Sequence, residues 1–143
     1  MKSNSSVLNV YKKKTKKSAV VTQLLYGDTF KKLEQKGSWL KIKNDSDHYK
    51  GYIKNKKFSL IYKSTHKVCV LHSNLYLSPN EKNKINKKLS FGSRIKITDQ
   101  KGKFLKFDKF WIKKKDLKKI NFKSKNYFKD INKFINVKYK WGG

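Results

Sequence analysis

The chain has 143 residues, enough for one ordinary domain or two small ones, and its 38 Lys and Arg against 9 Asp and Glu give a formal net charge of +29. No apolar run approaches the roughly 20 residues of a membrane-spanning helix, and the first residues lack the apolar segment of a secretory signal. We therefore expect a cytoplasmic chain with no membrane contact. Apolar residues spread evenly through the sequence and predict folded units rather than disorder.

The positive charge comes almost entirely from lysine, since Arg94 is the only arginine. A charge of this size is typical of proteins that bind nucleic acid or other polyanions. Specific recognition of bases and phosphates favours arginine, however, because its planar guanidinium makes paired hydrogen bonds. The composition therefore favours solvated lysines on outward faces and predicts only non-specific binding of nucleic acid at low salt.

An internal repeat relates the two halves of the chain at an offset of 65 residues. The offset places Gly27 on Gly92 and Gly37 on Gly102, and the apolar residues around these glycines match as well. The matched pairs are Val10 with Leu75, Tyr11 with Tyr76, Val20 with Ile85, Phe30 with Ile95, Leu40 with Leu105 and Ile42 with Phe107. We interpret the halves as two small modules, residues 7–62 and residues 67–121.

The first module carries six additional residues. After the second glycine pair the offset becomes 59, which aligns Tyr52 with Trp111. The extra residues fall within 44–51, opposite the short segment 108–110. Insertions collect in surface loops, and binding functions concentrate in such loops. We therefore expect a specialised role for this inserted loop.

Within each module the residue pattern is typical of strands. Residues 39–43 and 94–98 alternate between apolar and polar, the period of two of half-buried strands. Glycines and Pro79 separate the short runs, as in small barrels with tight turns. We predict a mainly β protein made of two tandem small β-barrels, in which Trp39, Tyr52, Phe104 and Trp111 belong to the cores.

Three residues of metal-binding types lie close together in the sequence. His66, Cys69 and His72 are of the types that bind zinc or perform thiol chemistry. The run from Lys67 to His72 predicts one extended strand, however, in which positions three apart point to opposite faces and six residues span roughly 20 Å. Only a turn within the segment would bring the three side chains together. We therefore predict a buried Cys69, no metal site and no cofactor.

The pattern changes after Phe122. Five apolar residues then follow the spacing of one stripe of an amphipathic helix, namely Tyr127, Phe128, Ile131, Phe134 and Ile135. Such a stripe requires a core to cover. We predict a short C-terminal amphipathic helix that is frayed, aggregation-prone or loosely docked on the second module, followed by the segment Tyr139–Gly143.

Residues 134–143, FINVKYKWGG, resemble the helix end and the Tyr-x-Trp-Gly-Gly turn that open the catalytic domain of NlpC-type cysteine peptidases. The repeat, with Gly51–Ile53 and Phe110–Ile112, resembles the bacterial SH3 modules in front of that domain, most closely in the dipeptidyl-peptidase VI type. The resemblance implies two SH3-like modules, at 7–62 and 67–121, and the opening of a peptidase domain at 124–143.

The activity implied by the resemblance is that of a γ-D-glutamyl-L-diamino-acid endopeptidase acting on peptidoglycan stem peptides. The Asp-Cys-Ser-Gly nucleophile segment and the catalytic histidine of the family have no counterpart in this sequence. We therefore predict no catalytic residue and a catalytically silent chain. Its expected partners are stem peptides or muropeptides and the missing catalytic domain.

The resemblance also implies a role for the inserted loop, because in the family the first module helps to select the free amino end of the stem peptide. Asp47 would pair with that amine, and Tyr49 would supply an apolar wall with a polar tip. The predicted substrate-binding residues are Asp47, Tyr49, Tyr52, Tyr139 and Trp141. An ordinary polar hairpin tip is the alternative for this loop.

A second function from another class remains open. Small barrels with lysines and interleaved aromatic residues, as in 101–107, bind single-stranded nucleic acid by stacking and counterion release. Retention on DNA at about 0.15 M salt would favour this function over peptidoglycan binding.

Overall fold

The computed structural model describes residues 1–123 and 131–138. The chain divides into two compact units, the first over Met1–Ile61 and the second over Tyr62–Lys138. Both units consist mainly of short antiparallel strands, and the helical elements that lie wholly within the described residues are single 3₁₀ turns. The prediction of a mainly β protein is confirmed. Within the described ranges, no helix has the length and apolar character needed to cross a membrane.

The first unit is a five-stranded antiparallel sheet with the strand order β2-β1-β5-β4-β3. Its strands are β1 Val7–Tyr11, β2 Val20–Leu25, β3 Phe30–Lys36, β4 Trp39–Asn44 and β5 Lys50–Lys54. The predicted alternation of β4 is confirmed, because Leu40 and Ile42 are buried while Trp39 and Lys41 are partly exposed. The core consists of Val10, Leu24, Phe30, Leu40, Ile42, Ile53 and Phe58.

Gly51 allows β1 and β5 to approach closely. A Cβ atom at this position would lie 2.7 Å from the carbonyl oxygen of Tyr11 and 2.7 Å from a methyl carbon of Val10. Both distances are far shorter than ordinary van der Waals contacts between such atoms. A residue without a side chain is therefore needed where β5 leaves the inserted loop and pairs with β1.

The second unit contains a five-stranded and a three-stranded antiparallel sheet. Its strands are β6 His66–Val68, β7 His72–Tyr76, β8 Lys84–Ser90, β9 Arg94–Ile95, β10 Asp99–Lys101, β11 Phe104–Phe107, β12 Phe110–Lys113 and β13 Leu117–Lys119. The sheet orders are β8-β7-β12-β11-β10 and β13-β6-β9. The described 3₁₀ turns are Glu81–Asn83, Lys114–Asp116 and Asn132–Phe134.

Strands that the sequence repeat aligns occupy the same places in the two five-stranded sheets. β8, β7, β12 and β11 stand in the order of β2, β1, β5 and β4. The cross-strand pair of Tyr76 and Trp111 corresponds to that of Tyr11 and Tyr52. The aligned Gly37 has a φ of 55° and Gly102 one of 54°, a left-handed conformation that glycine adopts at low cost.

The predicted strand over residues 94–98 is wrong. β9 ends at Ile95 and pairs with β6, whereas β10 begins at Asp99 and pairs with β11. Between them, the amide of Ile97 donates to Thr65 Oγ1 at 2.9 Å and that of Thr98 donates to the Lys106 carbonyl at 2.9 Å. The chain thus passes from one sheet to the other over residues 96–98, because Thr65, which is distant in sequence, and the neighbouring strand β11 supply its hydrogen-bond partners.

The single strand predicted through Cys69 is also wrong. β6 ends at Val68 and β7 begins at His72, in a different sheet, with a bend between them. The Cys69 amide donates to the Asp116 carbonyl at 2.9 Å. Cys69 is half-buried rather than buried, and this partial burial raises the pKa of its thiol above the ordinary value.

The predicted C-terminal helix falls partly on residues 124–130, which lie outside the described residues. Among the described residues of the predicted stripe, Ile131 has α-helical geometry and Asn132–Phe134 form a 3₁₀ turn. Ile131 and Ile135 are 60% and 69% exposed, so these two residues of the stripe do not cover a core. Phe134 packs edge-to-face on Phe91 of the second unit at 5.1 Å.

Candidate functional site

The inserted loop connects β4 and β5 through residues 45–49. Its base is closed by Asn44, which is 1% exposed. The Asn44 amide donates to the Tyr49 carbonyl at 2.9 Å, and the Asn44 carbonyl accepts from the His48 amide at 3.1 Å. The side-chain oxygen of Asn44 accepts from the Ser46 amide at 3.2 Å. The loop therefore has a defined shape, set by one buried asparagine and backbone hydrogen bonds.

Asp47 lies at the tip of this loop with its carboxylate tied to the loop and to β2. One oxygen accepts from the Tyr49 amide at 2.9 Å, and the other accepts from Thr22 Oγ1 at 2.5 Å. An ionised carboxylate has about four acceptor positions. Asp47 is exposed, so its unused lone pairs can accept hydrogen bonds from a ligand ammonium group.

Tyr49 is an exposed aromatic residue whose backbone amide donates to this carboxylate. The preceding His48 has a φ of 63°, a left-handed conformation that histidine adopts more often than most residues. Tyr49 is 58% exposed. The hydrogen bond from its backbone amide to the Asp47 carboxylate fixes the backbone of Tyr49 relative to the Asp47 side chain. The structure thus brings two of the predicted substrate-binding residues together, an anionic acceptor and an exposed aromatic ring.

Tyr52, the third predicted residue, lies in β5 rather than in the loop. It is the cross-strand partner of Tyr11 in β1 and of Lys41 in β4. Gly51 and Ile53 on either side are buried, so Tyr52 points to the outer face of the sheet. The last two predicted residues, Tyr139 and Trp141, lie outside the described residues.

An aromatic cluster around Tyr52 was not predicted from the sequence. Tyr11 and Trp39 meet edge-to-face with ring centroids 6.1 Å apart, and all three rings are half-buried. The prediction that Trp39 and Tyr52 belong to the core is therefore wrong, whereas Phe104 and Trp111 are buried as expected. The alternation did contain the information, because Trp39 has the same parity in β4 as Lys41.

Lysines surround these rings. Lys54 Nζ lies 4.6 Å from the Trp39 ring centroid, and Lys14 and Lys41 each place Nζ 6.0 Å from that of Tyr52. These are cation–π distances. We call Tyr11, Trp39, Lys41, Tyr52 and Lys54 the outer face of the first sheet, since cross-strand partners share one face.

The described part of the chain holds no group of three His, Cys, Asp or Glu residues able to bind a metal ion. The bend after Cys69 is the kind of turn that could have assembled such a site, but His66 and His72 belong to strands of different sheets. Burial lowers the pKa of His66, and the positive charge of Lys119 lowers it further. A neutral imidazole is therefore the favoured form at this position.

Residues 6–58 match the sequence profile of the family described as the bacterial SH3 domain. The matched segment includes all five strands of the first unit, the inserted loop and the outer face of the first sheet. No curated protein sequence matches the chain.

Among solved structures, the chain is similar to an NlpC/P60 family protein from Bacillus cereus ATCC 10987, with a TM-score of 0.78 and 15% sequence identity. The match covers 99% of this chain and 65% of that protein. At this level of identity the likeness demonstrates a shared fold. The chain spans less than two thirds of the length of the protein that it matches.

Proposed function

We propose that this chain is the SH3-like region of an NlpC-type cell-wall cysteine peptidase of the dipeptidyl-peptidase VI kind. In this proposal, residues 7–62 and 67–121 form two tandem SH3-like small barrels, and residues 124–143 open the peptidase domain. The profile match of the first unit, the likeness to an NlpC/P60 family protein and the equal strand orders of the two sheets support it.

The proposed role of the region is to bind the free amino end of a peptidoglycan stem peptide or muropeptide. The observation that carries this proposal is the exposed Asp47 carboxylate, which Thr22 and the Tyr49 amide orient within the inserted loop. An ammonium group that reaches the remaining lone pairs makes a charge-assisted hydrogen bond. The Tyr49 ring would cover the small apolar side chain of the first residue of the peptide.

The charge distribution supports a specific amine site. The chain contains only 9 acidic residues, and two of them, Asp45 and Asp47, fall in the inserted loop. A surface dominated by lysine repels a ligand ammonium group unless a carboxylate is placed for it. In this proposal the chain has no catalytic residue of its own, and the peptidase domain supplies the cysteine and the histidine.

The test is a calorimetric titration with L-Ala-γ-D-Glu-diaminopimelate of the wild type, Asp47→Asn and the control Asp45→Asn. Both variants remove one negative charge from the same loop. A lost hydrogen bond to a charged group costs about 1.5–3 kcal/mol, so we expect Asp47→Asn to weaken binding about 10- to 100-fold. Asp45→Asn should change it less than about twofold, and N-acetylation of the peptide should mimic Asp47→Asn. Equal losses in the two variants would contradict an amine site at Asp47.

A further inference from the structure

The outer faces of the two five-stranded sheets carry equivalent residues in different environments. In the second unit, Tyr76, Phe104 and Trp111 occupy the places of Tyr11, Trp39 and Tyr52. They form a buried cluster with exposures of 3%, 3% and 9%. The ring geometry is similar, because Tyr76 and Phe104 also meet edge-to-face, at 5.0 Å. Only the rings of the first unit are partly open to solvent.

The charges on the two faces differ as well. In the second unit, the Glu81 carboxylate forms ion pairs with Lys103 at 2.6 Å and with Lys113 at 3.1 Å. The hydrogen bonds from these two lysines lower the pKa of Glu81 to about 2. The repeat aligns Glu81 with Lys16, which lies in the lysine-rich connection between β1 and β2. The first unit thus has a lysine at the sequence position aligned with the neutralising carboxylate of the second unit.

The carboxylate that does lie near the outer face of the first sheet is already engaged. Glu34 is the cross-strand partner of Lys41, but it bonds Lys36 at 2.9 Å. The Lys36 hydrogen bond lowers the pKa of Glu34, and the charges of Lys41 and Lys14 lower it further. These lysines therefore generate a positive field that one carboxylate does not cancel.

We infer that the outer face of the first sheet binds a linear phosphodiester polymer without bases, of the poly(polyol phosphate) kind. Ammonium groups spaced along and across strands can each meet one phosphate, since lysine acts as a point charge for such groups. The half-exposed rings of Tyr11, Trp39 and Tyr52 provide apolar surface for the carbon chain between phosphates. None of the residues that define this surface lies in the inserted loop at 45–49, so the proposed polymer binding does not require the Asp47 carboxylate.

The geometry of the rings disfavours a nucleic acid as the polymer. Base stacking requires an open aromatic face, but the Lys54 ammonium already lies over Trp39 at 4.6 Å. Tyr11 stands at 89° to Trp39, so the two rings do not form a flat platform. The one arginine of the chain, Arg94, belongs to the second unit. The observations therefore favour a polymer recognised by its charge and its saturated carbon chain.

The test measures binding of a poly(glycerol phosphate) oligomer at about 0.15 M salt, where the Debye length is about 8 Å and diffuse attraction is screened. The double variant Lys41→Gln/Lys54→Gln is compared with the double variant Lys106→Gln/Lys113→Gln. The second variant removes the same two positive charges at the positions of the second unit that the repeat aligns with Lys41 and Lys54. We expect at least a tenfold loss for the first pair and less than a twofold loss for the second. Trp39→Leu, which keeps every lysine, should weaken binding about threefold or more.

Three outcomes would overturn the inference. Equal losses in the two lysine pairs would mean that binding follows net charge and has no site. If the wild type does not bind the oligomer at this salt concentration, the outer face of the first sheet is not a binding site for such a polymer. Tighter binding of an oligothymidylate with the same number of phosphates, reduced by Lys41→Gln/Lys54→Gln, would identify a nucleic-acid surface instead. Thermal unfolding of each variant distinguishes a lost contact from a lost fold.

Discussion

Gly51→Ala tests the packing that holds the candidate site. The new methyl carbon would lie 2.7 Å from the Tyr11 carbonyl oxygen, 2.7 Å from Val10 and 3.0 Å from Val21. The Tyr11 oxygen belongs to the backbone of a paired strand, so relief requires β1 to move away from β5. Such a movement would also disturb Tyr52 and the end of the inserted loop.

The magnitude follows from two opposing effects. Replacing glycine by alanine stabilises a compatible site by about 0.4–1 kcal/mol, because the unfolded chain loses freedom. Overpacking of a rigid core costs about 1–3 kcal/mol. With two contacts below 3 Å, one of them to backbone, we expect the upper part of that range and a net loss of about 2 kcal/mol. For a domain of about 60–100 residues, this lowers Tm by roughly 8–16 °C.

The assay is thermal unfolding by calorimetry, with Gly37→Ala as the control. A methyl group at Gly37 meets no atom within 4 Å, but the backbone there has a φ of +55°. Holding a non-glycine residue in this left-handed conformation costs about 1 kcal/mol of stability. Gly51→Ala should therefore lower Tm more than Gly37→Ala. A Gly51→Ala variant as stable as the wild type, or more stable, would refute the packing argument.

Three further predictions concern the second unit. The pKa of Glu81 is about 2 in the folded chain, below its ordinary 4.5. Its ion pairs therefore add stability above about pH 4.5, and this stability is lost as the pH falls towards 2. Glu81→Gln should remove this part of the pH dependence of stability in acid unfolding curves. Because burial raises the pKa of the Cys69 thiol, disulfide reagents at pH 7.5 should modify it several-fold more slowly in the folded chain than in denaturant. Phe134→Ala removes the ring contact with Phe91 and should lower the stability of the unit by about 1 kcal/mol in chemical denaturation.

The strands and tight turns could be predicted because they depend on local pattern. The alternation in β4 and the aligned glycines at 37 and 102 are visible in the sequence, and both are found in the structure. The breaks at residues 69–71 and 96–98 were not predictable in this way. There the partners come from distant segments, such as Asp116 for Cys69 and Thr65 for Ile97, and sequence periodicity carries no information about them.

The candidate site was predictable to a similar extent. The difference in length between the two halves located the inserted loop, and an acidic residue in it suggested a ligand. The hydrogen bond from Thr22 that orients Asp47 joins residues 25 positions apart, so only the folded sheet reveals it. The repeat assigned Trp39 and Phe104 to equivalent places, and the parity of Trp39 with Lys41 pointed to the outer face, but the repeat carries no sign that Phe104 is buried where Trp39 is half-buried.

Amide NMR titration of the ¹⁵N-labelled chain with L-Ala-γ-D-Glu-diaminopimelate tests the proposed function most directly. We predict saturable chemical-shift changes concentrated at Thr22 and residues 45–52. The N-acetylated peptide should give a much weaker response, because acetylation removes the ammonium group that would donate a hydrogen bond to Asp47. Shifts spread over the lysines of both units, or an equal response to the acetylated peptide, would contradict recognition of the peptide amine by the inserted loop.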